Sequence, residues 1–246
     1  MYRFTALILL LLFLLPASLQ AGENPVFDAR ERAAIRALVE EVLREKPEIL
    51  LEAVRALRER QQRAEADVRR QVILDHRAQL ERDPNSPVGG NPDGDVTIVE
   101  FFDYRCPYCK AVAETVKRLL EEDGNIRLVY KEWPILGEVS RIAARAALAA
   151  RAQGRYLEYH DRLMAERKLT GERVFAIAEE IGLDVERLRA DMEAPEVERH
   201  LRETAELADA LGISGTPAFV IGDHLLPGLA DRATFEALVR RARGES

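Results

Sequence analysis

The only two cysteines of this 246-residue chain stand three positions apart, in Cys106-Pro107-Tyr108-Cys109. Thiols at this spacing pass reversibly between dithiol and disulfide, and the chemistry they support is exchange with other thiols and disulfides. The flanks favour it. The apolar run Val96-Thr97-Ile98-Val99-Glu100-Phe101-Phe102 reads as a strand, and Cys106 to about Glu122 as a helix. Cys106 then lies at the helix N-terminus, where unpaired N–H groups and the positive end of the dipole favour a thiolate. Pro107 suits the first helical turn, where its missing N–H costs nothing. The alternatives are a structural disulfide or half of a zinc site. Zinc usually takes four ligands, and no second cysteine pair or nearby histidine supplies them, so no metal site is expected.

The N-terminus places this pair outside the cytoplasm. Arg3, the unbroken apolar stretch Ala6 to Leu15, and the small or polar residues Pro16 to Ala21 follow the order of a secretory signal. Cleavage is expected after Ala21, and residues 1–21 form the signal peptide. An uncleaved anchor is the alternative, but the apolar stretch is well short of the ~20 residues that span a bilayer. Export to the periplasm puts the thiols in an oxidising compartment. Losing Arg3 moves the formal net charge from -7 to -8. That acidity, with no basic aromatic patch, argues against a nucleic-acid partner.

Three stretches follow the signal. Residues 22–85 are charged, alanine-rich and patterned for helix, with Ile35, Leu38, Val39, Val42 and Leu43 at helical spacing and Pro47 between two helices. In the second helix, Leu50, Val54, Leu57, Gln61, Ala64 and Val68 alternate steps of four and three, which is heptad spacing. Residues 28–82 therefore read as an oligomerisation arm, with a packed helix or solvated spacer as the alternatives. Pro84, Pro87, Gly89, Gly90, Pro92 and Gly94 mark a break. From residue 86 the pattern is β-α-β, then helices from about 138 to 212, then a hairpin with a turn at Gly222-Asp223, then a last helix opened by Asp231.

The segment from Val99 to Cys109 (VEFFDYRCPYC), with Gly215-Thr216-Pro217-Ala218 and Trp133-Pro134-Ile135-Leu136-Gly137, resembles the DsbA family of exported thiol-disulfide oxidoreductases. The resemblance implies an α/β thioredoxin fold over residues 86–246 with an inserted helical domain, preceded by the helical arm. The arm, above all Lys46-Pro47-Glu48-Ile49-Leu50-Leu51-Glu52-Ala53, is similar to the N-terminal segment of ScsC-type members and the related 27 kDa outer-membrane-protein group, some of which oligomerise through it.

On this resemblance Cys106 is the nucleophile, Cys109 the more buried resolving thiol, and Pro107 and Tyr108 tune the couple. Pro217 is expected cis and facing the pair, leaving the Thr216 backbone free to bind substrate; an ordinary trans proline is the alternative. The fold often holds an acid where Glu100 stands. Buried with a raised pKa, it can take the Cys109 proton; exposed, it is a surface residue. Lys131 is a candidate partner for Glu100, or solvent-facing. His76, His160, His200 and His224 read as surface or structural, and Met164 and Met192 as core.

The implied function is exchange of disulfides with exported client proteins, leaning to isomerase or reductase because of Thr216 and the arm. It carries no cofactor beyond the Cys106-Cys109 pair, and its implied partners are a membrane redox protein and further copies of itself. The alternatives are a net dithiol oxidase, a Cu(I)-binding copper-tolerance protein, or a chaperone-like clamp.

Overall fold

The computed structural model describes residues 27–245, which fall into two compact units, residues 27–59 and 60–245. The expected signal lies outside the described residues.

The first unit holds α1 (Ala29–Glu45) and the start of α2 (Glu48–Asp75). Asp28 opens α1 with a capping box: its carboxylate accepts from the N–H groups of Arg30 and Glu31, while Glu31 accepts from the Asp28 N–H. Pro47 separates the two helices, as the sequence implies. No α1 side chain is buried, and Leu38, Val39, Leu50, Val54 and Leu57 are exposed.

The second unit contains the rest of α2, α3 (Arg77–Glu81) and a five-stranded sheet in the order β1-β3-β2-β4-β5. The strands are β1 (Val88–Gly90), β2 (Val96–Phe102), β3 (Ile126–Glu132), β4 (Ala218–Ile221) and β5 (His224–Pro227). β2 and β3 are parallel and joined by α4 (Pro107–Asp123); the remaining pairs are antiparallel. Between β3 and β4 lie α5 (Glu138–Ala150), α6 (Tyr156–Ala165), α7 (Gly171–Glu180), α8 (Val185–Met192) and α9 (Pro195–Ala210). α10 (Arg232–Arg243) closes the chain. This is the thioredoxin architecture with a helical insert. Gly124 ends α4 at φ +70°, a conformation that suits a residue without Cβ. Among the described residues no helix is long and apolar enough to cross a membrane.

Strand pleating sorts the core. Val96, Ile98 and Phe102 pack with Val112, Val116, Phe235 and the insert on one face. Val99, Phe101, Val129 and Val220 pack with Ile73, Leu80, Leu207 and Leu211 on the other. Ile73 and Leu80 fall in the stretch that the sequence assigns to the arm, yet both are 1% exposed. Within the glycine- and proline-rich break, β1 pairs with β3.

Lys131 shares the second face. Its Nζ donates to the Gln79 carbonyl at 2.9 Å and pairs with Asp83 Oδ2 at 3.1 Å. Lys131 is therefore neither exposed nor a partner of Glu100, correcting both expectations. In the β2–β3 register Lys131 stands opposite Phe101, and Glu100 opposite Tyr130, so the two charges leave opposite faces. Burial works to raise the Asp83 carboxyl, but the Asn85 N–H, Lys131 and Ser86 outweigh it and hold Asp83 below its ordinary value. Nearby, the Tyr156 hydroxyl donates to Glu132. His200 lies 3.5 Å from Asp83 and 3.9 Å from Glu132, with neither ring nitrogen hydrogen-bonded. Burial raises Glu132 to about 7 and lowers His200 to about 4.

Removing one partner of a buried ion pair strands the other. Asp83→Ala should destabilise the protein by about 3–5 kcal/mol in equilibrium denaturant unfolding. A change near zero would mean that Lys131 is held by the Gln79 carbonyl alone.

Candidate active site

β2 aims the chain at the motif, and its pleat brings Glu100 and Phe102 under α4. Cys106 is the N-cap of α4, with Pro107 following at its first turn. The Cys106 N–H donates to the Asp103 carbonyl at 3.0 Å, and the Cys106 carbonyl accepts from the Lys110 N–H at 3.1 Å. Both cysteines are free thiols. They are nearly equally buried, Cys106 at 3% exposure and Cys109 at 0%, while Tyr108 between them is 60% exposed.

The loop before β4 faces the first thiol. Cys106 Sγ donates to the Thr216 carbonyl at 3.2 Å, and the Thr216–Pro217 bond is cis. The Pro217 carbonyl accepts from the Gly228 N–H at 2.8 Å, fixing this loop to the end of the β4–β5 hairpin. The geometry thus brings together five residues expected from the sequence: Cys106, Pro107, Tyr108, Thr216 and Pro217.

Beneath them lie Cys109 and Glu100. Burial pushes the Cys109 thiol well above its ordinary range, opposed by the Asp103 and Thr216 contacts. Burial alone raises Glu100 to about 8. Glu100 is 3% exposed, and its Oε1 has no hydrogen-bond partner. It lines a cleft of about 540 Å³ with Lys110, Tyr130, His160 and Met164. Lys110 Nζ donates to the carbonyls of Leu163 and Met164 at 2.9 and 3.1 Å, capping the last turn of α6. His160 Nδ1 is 3.0 Å from the Tyr104 hydroxyl, and burial lowers His160 to about 3, leaving a neutral ring. A carboxyl that keeps its proton into the neutral range, beside a thiol that resists losing its own, can serve as proton acceptor and donor.

Sequence reasoning passed over Asp103. It is 1% exposed, and its carboxylate accepts four hydrogen bonds: Arg105 N–H at 2.7 Å, Ile135 and Leu136 N–H at 2.9 Å each, and Ser140 Oγ at 2.8 Å. The one local signal is an aspartate two residues before Arg105, the spacing of an Asx turn. Met164 and Met192 are buried in the main core, His160 and His200 are buried, and His76 and His224 are half-buried.

Comparison with known proteins agrees with this geometry. The family described as the DSBA-like thioredoxin domain matches residues 97–240, and the copper resistance protein ScsC N-terminal domain matches residues 31–64. A thioredoxin-like oxidoreductase from Silicibacter pomeroyi DSS-3 is similar at 53% identity and TM-score 0.67, covering 69% of this chain and 99% of that one. Proteus mirabilis ScsC in a transitional conformation is similar at 31% identity and TM-score 0.65, covering 89% and 99%. The Na(+)/H(+) antiporter NhaA 1 of Salinispora arenicola (strain CNS-205) is 33% identical over 158 residues, 63% of this chain and 24% of that protein. The chain spans about a quarter of the length of the curated antiporters it matches.

Two outcomes are expected from these shifts. In the reduced protein at neutral pH, Cys106 should alkylate about tenfold or more faster than Cys109, whose thiol burial holds protonated. Peptide mapping after a brief iodoacetamide pulse measures the ratio, and equal labelling would reverse the assignment of roles.

The second concerns stability against pH. Between pH 4.5 and 6.5 the raised Glu100 and Glu132 oppose the lowered His160 and His200. Above pH 6.5 the histidine contribution fades and the two carboxyls dominate: the unfolded chain has released these protons, and the folded chain keeps them until about 7 and about 8. The folded state then binds more protons, so stability falls as pH rises from 6.5 to 8. Glu100→Gln should flatten that fall in melting curves; a wild-type melting temperature that climbs across this window would contradict it.

Proposed function

Because the chain belongs to the DsbA-like thioredoxin family, we propose that it is an exported, periplasmic thiol-disulfide oxidoreductase acting on client proteins, with isomerisation its main direction. The observation that carries the reading is the Cys106 thiol at the α4 N-terminus, facing the Thr216 carbonyl and backed by Cys109 and Glu100.

In isomerisation the Cys106 thiolate attacks a mispaired client disulfide. One S–S bond forms between Cys106 and the client, one client S–S bond breaks, and a client thiolate leaves. That or another client thiolate then attacks the mixed disulfide, expelling Cys106, so no electrons are gained or lost overall. When the intermediate stalls, Cys109 resolves it. Glu100, in its ionised form, accepts the Cys109 proton, Cys109 bonds to Cys106, and the client leaves reduced by two electrons. Oxidation of a client runs the same steps backwards from the Cys106-Cys109 disulfide. The pair is the redox carrier in either direction, recharged by a membrane redox partner.

The arm supports the isomerase direction. Exposed Leu50, Val54 and Leu57 at heptad spacing fit burial against further copies of the chain. Such an assembly keeps a reduced attacking thiol away from a bulky oxidase. The ScsC match at residues 31–64 favours a second reading, Cu(I) held by the two thiolates, soft ligands suited to a soft ion. Stoichiometric Cu(I) uptake by the reduced protein, lost in Cys109→Ser, would support it.

The deciding experiment pairs two assays, rescue of a scrambled substrate and oxidation of a reduced one, on wild type and on Leu50→Glu/Leu57→Glu. Wild type should be oligomeric by light scattering and rescue the scrambled substrate. The variant should be monomeric, lose rescue and keep oxidation. Wild type that only oxidises would assign the net oxidase role instead.

A further inference from the structure

Asp103 lies outside the exchange steps just described, yet it ties together three segments around them. Its carboxylate holds the Arg105 N–H in the motif loop, the Ile135 and Leu136 N–H groups in the loop after β3, and the Ser140 hydroxyl in the first turn of α5. Its carbonyl holds the Cys106 N–H. The helix N-cap of α5 is Gly137, which has no side chain to offer, and Asp103 reaches the first turn of that helix through the Ser140 hydroxyl. Gly137 sits at φ +98°, a conformation that disfavours any residue with a Cβ, and this gives the 133–137 loop a fixed turn. Two more bonds close the staple: the Arg105 guanidinium donates to the Leu136 carbonyl at 2.8 Å, and the Trp133 N–H donates to the Phe102 carbonyl at 2.9 Å.

A buried carboxylate with four donors is a stiff joint, because each bond to the charged group is stronger than a neutral one. What it stiffens is an apolar shoulder: Ile135 and Leu136 are each 41% exposed, although their backbone is pinned beside the residue preceding Cys106.

We propose that Asp103 is a positioning residue for exchange with protein clients, holding the Ile135–Leu136 shoulder in fixed register with the Cys106 sulfur. This rests on the thiol-disulfide exchange reading above. A small disulfide needs only the sulfur. A client segment must also lie across the shoulder, so the cost of loosening the joint falls on polypeptide substrates.

The test measures attack by the reduced protein on hydroxyethyl disulfide and on a short peptide disulfide flanked by leucines. Asp103→Asn cannot accept from all four donors, and at least one N–H loses its partner. It should slow the peptide reaction roughly fivefold to tenfold while leaving the small disulfide within about twofold. Arg105→Ala, at an exposed side chain, frees the same loop from the other side and should slow the peptide selectively by about threefold. Should Asp103→Asn fail to fold, the Arg105→Ala ratio decides. Equal slowing of both disulfides, or an unchanged peptide rate, overturns the positioning role while exchange stands. Wild type that attacks neither disulfide overturns the exchange reading and this inference with it.

Discussion

Strand β2 carries the constraint on which the site depends: successive side chains must leave opposite faces of the sheet. Glu100 follows Val99 and precedes Phe101, both sealed into the second face, so the carboxyl enters the α4 side, where Cys109 waits. A slip of one residue would carry Glu100 to the Lys131 face and put Val99 or Phe101 beneath the thiols. Hydrophobic burial on both faces of β2 penalises that slip heavily, and so the position of one proton-handling group is secured by the packing of its apolar neighbours.

The same alternation explains what was and was not legible in the sequence. The cysteine pair, β2, α4, the hairpin turn at Gly222-Asp223 and the Asp231 cap are local patterns, and the structure has them where the patterns lie. The burial of Lys131 is not legible locally, because a buried lysine depends on a distant partner. Asp83 lies 48 residues away, in a stretch whose composition says only that the chain breaks. β1 hid in that stretch for a similar reason: three residues, two of them glycine, carry no strand pattern, and only pairing with β3 makes them one. Ile73 and Leu80 look like two more apolar positions in a charged helical run until the sheet supplies the surface they cover. Asp103 shows its role only once the chain more than thirty residues on brings three of its four donors, the Ile135 and Leu136 N–H groups and the Ser140 hydroxyl.

Ionisable groups are unusually deep in this unit, and they are distributed by purpose. Glu132, Tyr156, His200, Asp83 and Lys131 connect β3, α6, α9 and the segment after α3. Such groups are expensive to bury and contribute little net stability, but wrong partners for them are more expensive still, which favours one arrangement of the insert on the sheet. Glu100 stands apart from these, in the cleft lined by α4 and α6 beside Cys109.

Trp133 is the only tryptophan in the chain, 8% exposed at the end of β3, with its N–H on the Phe102 carbonyl and two residues before Ile135. All indole emission therefore originates in the loop that Asp103 staples beside the reactive sulfur. The molecule carries its own optical gauge of that loop: without any label, ultraviolet fluorescence reads the local polarity and quenching where a polypeptide would meet the redox pair.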